Sequence, residues 1–558
     1  MKYFLLFLVL LPGVIIRFIW LDQVPPGLNH DEMDAVMIAR SYAYFGTDTL
    51  GEKFPISLIK NQVETGDDTL LSLLLSPFQR LLPVNVYIAR LPMVIINLLT
   101  ILLWTILVYR LTANKKLALV FLALFLYSPW SIIFSRSLTQ APLALLLISL
   151  SLNIFWKNTA LAAFLGAIFL DLAFLAYYGT KPFTIIMGLI LPIWLGFTRK
   201  KFKISVAIIF WLVFGLFVAG YIYFAFTIPG STFSRRRQEI RLSTWSQIGA
   251  TIDTARRTSI SNPFSFIFLN KPAEFTRLLL QKYWNYWSPD YLLFSGDPSS
   301  NQRLTFHGAA YLPDLFFSAL GLGMGMPGIS LAALLITLGP VGTLVNNSLP
   351  ANMYRGAPFL PGLLLLIAAG ITKFTSHKKL LPVVIVGYLI LSLNFLHFFF
   401  YQYPVTAAET GFLGERILAN YLIKTSGEVT VIAAQPLQVL QQVMYFSQST
   451  LGDKPRLISL SGPYNYDRIH ISQICPQQLP TGTLVVQFGI NCEPPSGNKL
   501  VIQDQKDTGT LWKIYNDETC SSSDLSYWRR FHYHSDYKPE IMSTDQFCNR
   551  WINKFKNI

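Results

Sequence analysis

The sequence predicts a polytopic α-helical membrane protein with a small C-terminal α/β or α+β domain. Three observations lead there. Of its 558 residues 52% are hydrophobic and only 13% charged, about half the charged share of a soluble globular domain. Apolar stretches long enough to cross a bilayer as helices recur along the chain up to about residue 400. All four cysteines, Cys475, Cys492, Cys520 and Cys548, fall in the tail beyond them. The net charge of +15 sits in short clusters without the aromatic interleaving of a nucleic-acid surface, so nucleic acid is excluded as a partner and the lipid bilayer is expected as one.

Stretches of about 20 apolar residues give eleven expected spans. They lie near 3–21, 86–109, 117–135, 141–156, 159–177, 183–198, 204–228, 309–325, 328–346, 356–372 and 380–401. Arg17 interrupts the first and no small-residue cleavage site follows, which favours a retained anchor over a signal peptide. The short loops Arg110 to Lys116, Arg199 to Lys203 and Lys373 to Lys379 are basic and are expected in the cytoplasm. Spans then alternate so that loops 22–85 and 229–308 and the tail lie outside. This divides the chain into a membrane domain, 1–401, and an extracytoplasmic domain, 402–558.

An even number of cysteines confined to one outer segment reads as two disulfides, with three pairings open. In the tail, β-like runs at 429–432 and 483–488 alternate with Pro/Gly turns, and a polar helical stretch covers Gly411 to Lys424. His532 and His534 would share one face of a strand, without a third metal ligand nearby.

Candidate chemistry concentrates in the outer loops. Asn29-His30-Asp31-Glu32 sets an acidic pair just beyond the first span, after a turn at Pro25-Pro26-Gly27. Carboxylates there can deprotonate an acceptor hydroxyl next to a lipid-linked donor; they also suit the first turn of a helix, where negative charge favours the dipole. The first loop carries nine acidic residues against four basic ones, including Asp67 and Asp68. Its apolar positions from Met33 to Phe45 and from Thr69 to Leu82 recur at helical spacing, suggesting short helices lying on the membrane. The long loop reverses the balance, ten basic to five acidic, with Arg235-Arg236-Arg237, Arg256-Arg257, and Lys282 among Tyr283, Trp284, Tyr286 and Trp287. Those cations suit lipid phosphate or anionic headgroups.

Polar residues gather at the outer span ends: Arg136, the Tyr177-Tyr178-Gly179-Thr180-Lys181 turn, and Arg355. Asp171 lies about 9 Å below Tyr177 on a helix and should face a cavity or partner rather than lipid. Each cation alone suits snorkelling to the interface; their convergence with the acidic loop favours a site. Gly323 to Gly328 matches a dinucleotide-binding pattern but follows a membrane span, so a tight hairpin is expected there.

Pro25-Pro26-Gly27-Leu28-Asn29-His30-Asp31-Glu32 resembles the start of the first outer loop in bacterial glycosyltransferases related to protein O-mannosyltransferases and aminoarabinose transferases, which belong to the GT-C superfamily. Phe134-Ser135-Arg136, Ala176 to Phe183, and Tyr291 to Asp297 are similar blocks in the same order, and the resemblance covers roughly residues 1–420. It implies a polyprenyl-phosphate sugar as donor, an acceptor protein, lipid or glycan, and inversion at the anomeric centre. Asp31 would then be the catalytic carboxylate, with Glu32 in acceptor binding or support. Arg136 and the Tyr178 to Lys181 turn would hold the donor phosphate, aided by Arg355. Two departures stand out: Thr65 to Thr69 replaces a Lys-Pro-Pro element, and Gln140 stands where many members carry glutamate. No cofactor is required; a divalent metal is compatible with Asp67 and Asp68, though their spacing demands none. The alternatives are a transporter or flippase, which predicts paired interrupted helices in two related halves, and an inactive relative that binds glycan lipids.

Overall fold

The computed structural model describes residues 2–60, 69–199, 202–228, 231, 245–260, 262–298, 307–324, 327–344, 352–408, 410–447, 462–476, 482–492, 499–506, 509–520, 525 and 532–554. Asp67, Asp68 and the Arg235 to Arg237 triplet lie outside them, as do Thr65 to Gly66. The described chain is mainly helical, with one sheet near its C-terminus.

Among the described residues, four helices are long and apolar enough to cross a membrane: Val86–Thr112, Tyr178–Thr198, Ile204–Thr227 and Leu381–Thr406. Five shorter apolar ones are Gln140–Phe155, Ala160–Ala176, Leu312–Leu322, Gly328–Leu344 and Phe359–Phe374. The helices Lys2–Ile15 and Lys115–Tyr127 occupy the first and third expected spans. Their interior packs large side chains such as Trp104, Trp130, Phe121 and Phe155, while Phe197, Leu216 and Phe226 point outward, as a protein solvated by lipid requires.

The first-loop helix runs His30–Phe45, opened by Asn29 and closed at Gly46, whose positive φ of 69° suits glycine. Protein encloses it, where its spacing suggests a helix lying on the membrane. Residues Glu32 through Ala43 are buried, because the helix Thr69–Leu81 packs on one side and the tail helix Pro436–Phe446 on another. The periodicity was real; a second protein layer, rather than lipid, covers its apolar stripe.

The tail sheet has the order β2-β3-β1-β4-β6-β5-β7, with β1 Val429–Ile432, β2 Tyr464–Tyr466, β3 Ile469–Ser472, β4 Thr483–Gln487, β5 Lys499–Gln503, β6 Thr510–Tyr515 and β7 Asn553–Lys554. β1 lies parallel to β3 and β4, and the remaining pairings are antiparallel. The helix Pro436–Phe446 follows β1 before the chain returns to the parallel β3, the crossover a parallel pair demands. Disulfides join Cys475 to Cys492 and Cys520 to Cys548. His532 and His534 do not share a strand. Asp536 accepts the Tyr533 N–H at 2.7 Å and caps a 3-10 turn over His534–Tyr537, while the His534 ring stacks on Trp20. The hydrophobic core runs unbroken from the membrane helices through Leu28, Met33 and Val36 into Leu418, Val439 and Val443 of the tail.

Candidate functional site

The site begins with a turn that cannot stand alone. Pro25 and Pro26 lack amide hydrogens, so the carbonyls of residues 21–28 need donors from elsewhere. Buried arginines supply them. Arg90, fully buried, donates to the carbonyls of Leu21 at 3.1 Å, Pro25 at 2.8 Å and Gly27 at 2.5 Å. Arg136 donates to Ile16 at 2.7 Å, Ile19 at 2.5 Å, Trp20 at 3.3 Å and Val24 at 2.9 Å. Arg17, which interrupts the first span, reaches Asn97 at 2.9 Å, Ser131 at 2.9 Å and the carbonyls of Gly13 and Leu126.

This frame separates the two adjacent carboxylates. Glu32 is 2% exposed. Its Oε2 accepts the Asn29 N–H at 3.0 Å and pairs with Arg90 at 3.2 Å, and its Oε1 accepts the Leu138 N–H at 3.0 Å. Asn29 answers by accepting the Glu32 N–H at 3.0 Å, completing a capping box. Glu32 therefore ties the first-loop helix to the segment after Arg136. Asp31, one residue earlier, is only half-buried in the same first turn, where the helix dipole favours a negative charge.

The structure places Arg136 differently from the phosphate-binding role expected of it. Its guanidinium is completely buried, its terminal nitrogens are committed to four carbonyls, and Phe400 and Phe399 cover it at 4.9 and 5.7 Å. In this arrangement its terminal nitrogens hold the first-loop segment.

Of the other expected cations, Lys181 follows the turn that Arg355 touches, and Arg355 acts electrostatically on Lys282. Lys181, 8% exposed, opens the helix Lys181–Thr198 and sits over the rings of Tyr178 at 4.9 Å, Tyr221 at 5.0 Å and Phe174 at 5.6 Å. Its ammonium donates to the Tyr221 hydroxyl at 3.1 Å. Gly179 lies against Arg355: a Cβ there would fall 2.6 Å from the Arg355 Cγ, so glycine is what lets the two turns approach. The Arg355 turn is itself fixed by Asp297, which accepts the Met353 N–H at 2.6 Å, and by Asn352, which accepts the Tyr354 and Arg355 amides at 3.1 Å. Lys282 is half-buried close by; burial first, and then the charge of Arg355, lower its pKa. Two cations kept within each other's field suit an anion placed between them.

Tyr354 links this cationic group to the acidic turn. Its ring stacks on Phe134 at 5.6 Å. Burial raises its phenol far above the usual range; the Ser137 hydrogen bond opposes that and the Glu32 charge adds to it. Asp171 is set apart: buried in the helix Ala160–Ala176, with neither carboxylate oxygen hydrogen-bonded. Among the described residues no group of three side chains could hold a metal ion.

Sequence reading missed Arg90 and Tyr221, and gave Asp297 no role beyond ending the Tyr291 to Asp297 block. Arg90 carried a usable signal, since an arginine inside an otherwise apolar run close to an acidic loop asks for a partner.

No family model matches the chain, and no curated protein does. Among solved structures, the crystal structure of ArnT from Cupriavidus metallidurans bound to undecaprenyl phosphate superposes with a TM-score of 0.41 at 11% identity, over 92% of this chain and 98% of that one. The apo form of the same protein gives 0.38 at 11% identity, over 91% and 97%. At these values neither comparison supplies a residue correspondence.

Proposed function

We propose that this chain is a membrane glycosyltransferase that moves a sugar from a polyprenyl-phosphate donor to an extracytoplasmic acceptor hydroxyl, with inversion and with Asp31 as general base. The observation that carries the reading is the division of labour in the first loop. Glu32 is spent on Arg90 and two amides, while the half-exposed Asp31 stands in the turn they hold rigid. The motif resemblance that starts at Pro25 supports the same assignment, as does the group formed by Lys181, Tyr178, Arg355 and Lys282.

The chemistry balances in one displacement. The acceptor oxygen forms a bond to the anomeric carbon while the bond to the phosphate oxygen breaks. The electron pair leaves with the polyprenyl phosphate, and Asp31 takes the acceptor's proton. The carbon becomes oxocarbenium-like on the way. The departing phosphate needs cations more than an acid, and Lys181, Arg355 and Lys282 would supply them in a water-poor setting. Arg136 would serve by holding the backbone.

The proposal includes a GT-C-like architecture with eleven spans, and a site and tail that face away from the cytoplasm. The test is to incubate the purified protein in lipid with a panel of polyprenyl-phosphate sugars and acceptors, measuring release of polyprenyl phosphate. Stoichiometric release with an inverted product supports the proposal; sugar-lipid crossing between leaflets without release supports the transporter instead.

A further inference from the structure

The C-terminal domain makes its own set of contacts with the turn that precedes Asp31. Arg416, on the tail helix Leu413–Lys424, is 2% exposed. Its Nη1 donates to the carbonyls of Asp22 at 3.0 Å and Pro26 at 2.5 Å. Its Nε and Nη2 make a two-point contact with Glu540 at 2.6 and 3.0 Å. Arg90 holds the carbonyls of residues 21, 25 and 27 from the membrane domain, so the carbonyls at 22 and 26 are left to Arg416. With Arg136 on the Val24 carbonyl, three guanidiniums share one turn, and Arg416 is the one supplied by the tail.

Further contacts follow the same seam. Gln442 donates to the Leu28 carbonyl at 3.0 Å, Gln441 donates to Asp34 at 2.6 Å, and Lys538 pairs with Asp22 at 2.7 Å. Gly27 leaves no space for a side chain, since a Cβ would collide with the carbonyls of Gly411 and Phe412. The carbonyls at 22, 26 and 28 and the carboxylate of Asp34 bracket Asp31 on both sides.

We infer that the C-terminal domain is part of the catalytic frame, with Arg416, oriented by Glu540, as the residue that positions Asp31. This rests on Asp31 being the base. A two-point Arg–carboxylate contact fixes the guanidinium plane as well as its charge, and that plane aims Nη1 at both carbonyls. Releasing them loosens the turn that carries Asp31, leaving it to Arg90, Arg136 and Gln442. A general base misplaced by about 1 Å loses about 10²-fold in rate.

The experiment compares the full-length protein in lipid with Arg416→Gln, Arg416→Lys, Glu540→Gln and Asp31→Asn. Donor turnover is measured together with amide hydrogen exchange across the chain. Arg416→Gln is expected to lower kcat about 10²-fold with donor KM unchanged, and to raise exchange in the peptides covering 22–34 alone. Arg416→Lys should recover part of the rate, and Glu540→Gln, which leaves the arginine in place, should show the same pattern more weakly. Unchanged exchange at 22–34 in both Arg416→Gln and Glu540→Gln overturns the inference. So does full kcat in both while Asp31→Asn is inactive. If Arg416→Gln unfolds, Glu540→Gln decides alone. Turnover retained by Asp31→Asn sinks the assignment of the base instead, and the exchange at 22–34 then still decides whether Arg416 holds the turn.

Discussion

Glu32→Gln and Asp31→Asn, changes of one atom type at neighbouring positions, should cost the fold very different amounts. Glutamine at position 32 keeps one acceptor oxygen and turns the other into a donor. Glu32 uses one oxygen for Leu138 and the other for Asn29 and Arg90, so either amide orientation leaves donor facing donor. It also removes the countercharge of Arg90, which is fully buried. Breaking a buried ion pair by removing one partner costs about 3–5 kcal/mol. Arg90 keeps its carbonyl contacts to Leu21, Pro25 and Gly27, which places the expected loss at the lower end, about 3 kcal/mol. Asp31→Asn removes one half-exposed charge from a helix N-terminus, worth about 0.3–1 kcal/mol. Unfolding of each purified variant in mixed micelles, followed by tryptophan fluorescence, measures both. If Glu32→Gln is as stable as the parent, or Asp31→Asn is the more damaging of the two, the division of labour between these carboxylates is wrong.

Three further outcomes are expected. Arg136→Ala strands four carbonyls, that of Val24 buried, and should cost about 3 kcal/mol. Its folded fraction should bind sugar-free polyprenyl phosphate normally, whereas Arg355→Ala should bind it weakly; a selective binding loss in stable Arg136→Ala would return the phosphate to Arg136. Because burial and Arg355 lower the Lys282 pKa, Lys282 loses its charge earlier than an ordinary lysine as pH rises. Binding of polyprenyl phosphate should therefore weaken on the alkaline side, and Lys282→Arg should move that loss to higher pH; an identical pH profile in the variant would remove Lys282 from the site. The tail thiols should react with impermeant reagents on intact cells only after reduction. Cys520→Ser with Cys548→Ser opens a sequence separation of 28 residues and should cost about 3.5 kcal/mol in the chain-entropy account. Labelling without reductant would contradict the pairing.

The helices were the most legible part of the sequence. Apolar spacing from Met33 to Phe45, with Asp31 and Glu32 at its head, marks the first-loop helix, which begins three residues earlier at His30, because periodicity and terminal charge are local signals. What covers that helix is not local. The same apolar stripe fits lipid or the helix Pro436–Phe446, which lies some four hundred residues later, and only packing decides between them. The cation positions divided the same way. The turn that precedes Lys181 touches Arg355 at Gly179, where the missing side chain admits it, a contact between segments far apart in sequence that no local signal marks. The carbonyl partners of Arg136 were not legible, because an arginine at a span end looks alike whether it awaits a phosphate or caps carbonyls. Its partners, Ile16 to Val24, carry no side-chain signal at all. The tail strands at 429 and 483 followed from β-branched runs, while the 3-10 turn at His534 depended on Asp536 capping Tyr533.

The central claim is that Asp31 removes the acceptor's proton while polyprenyl phosphate leaves. The most direct measurement is single-turnover transfer by purified Asp31→Asn, set beside equilibrium binding of the same donor. Turnover is expected to fall about 10²–10⁴-fold, the usual worth of a general base, with donor affinity and folding preserved. Near-normal transfer by a folded, donor-binding Asp31→Asn protein would contradict the account.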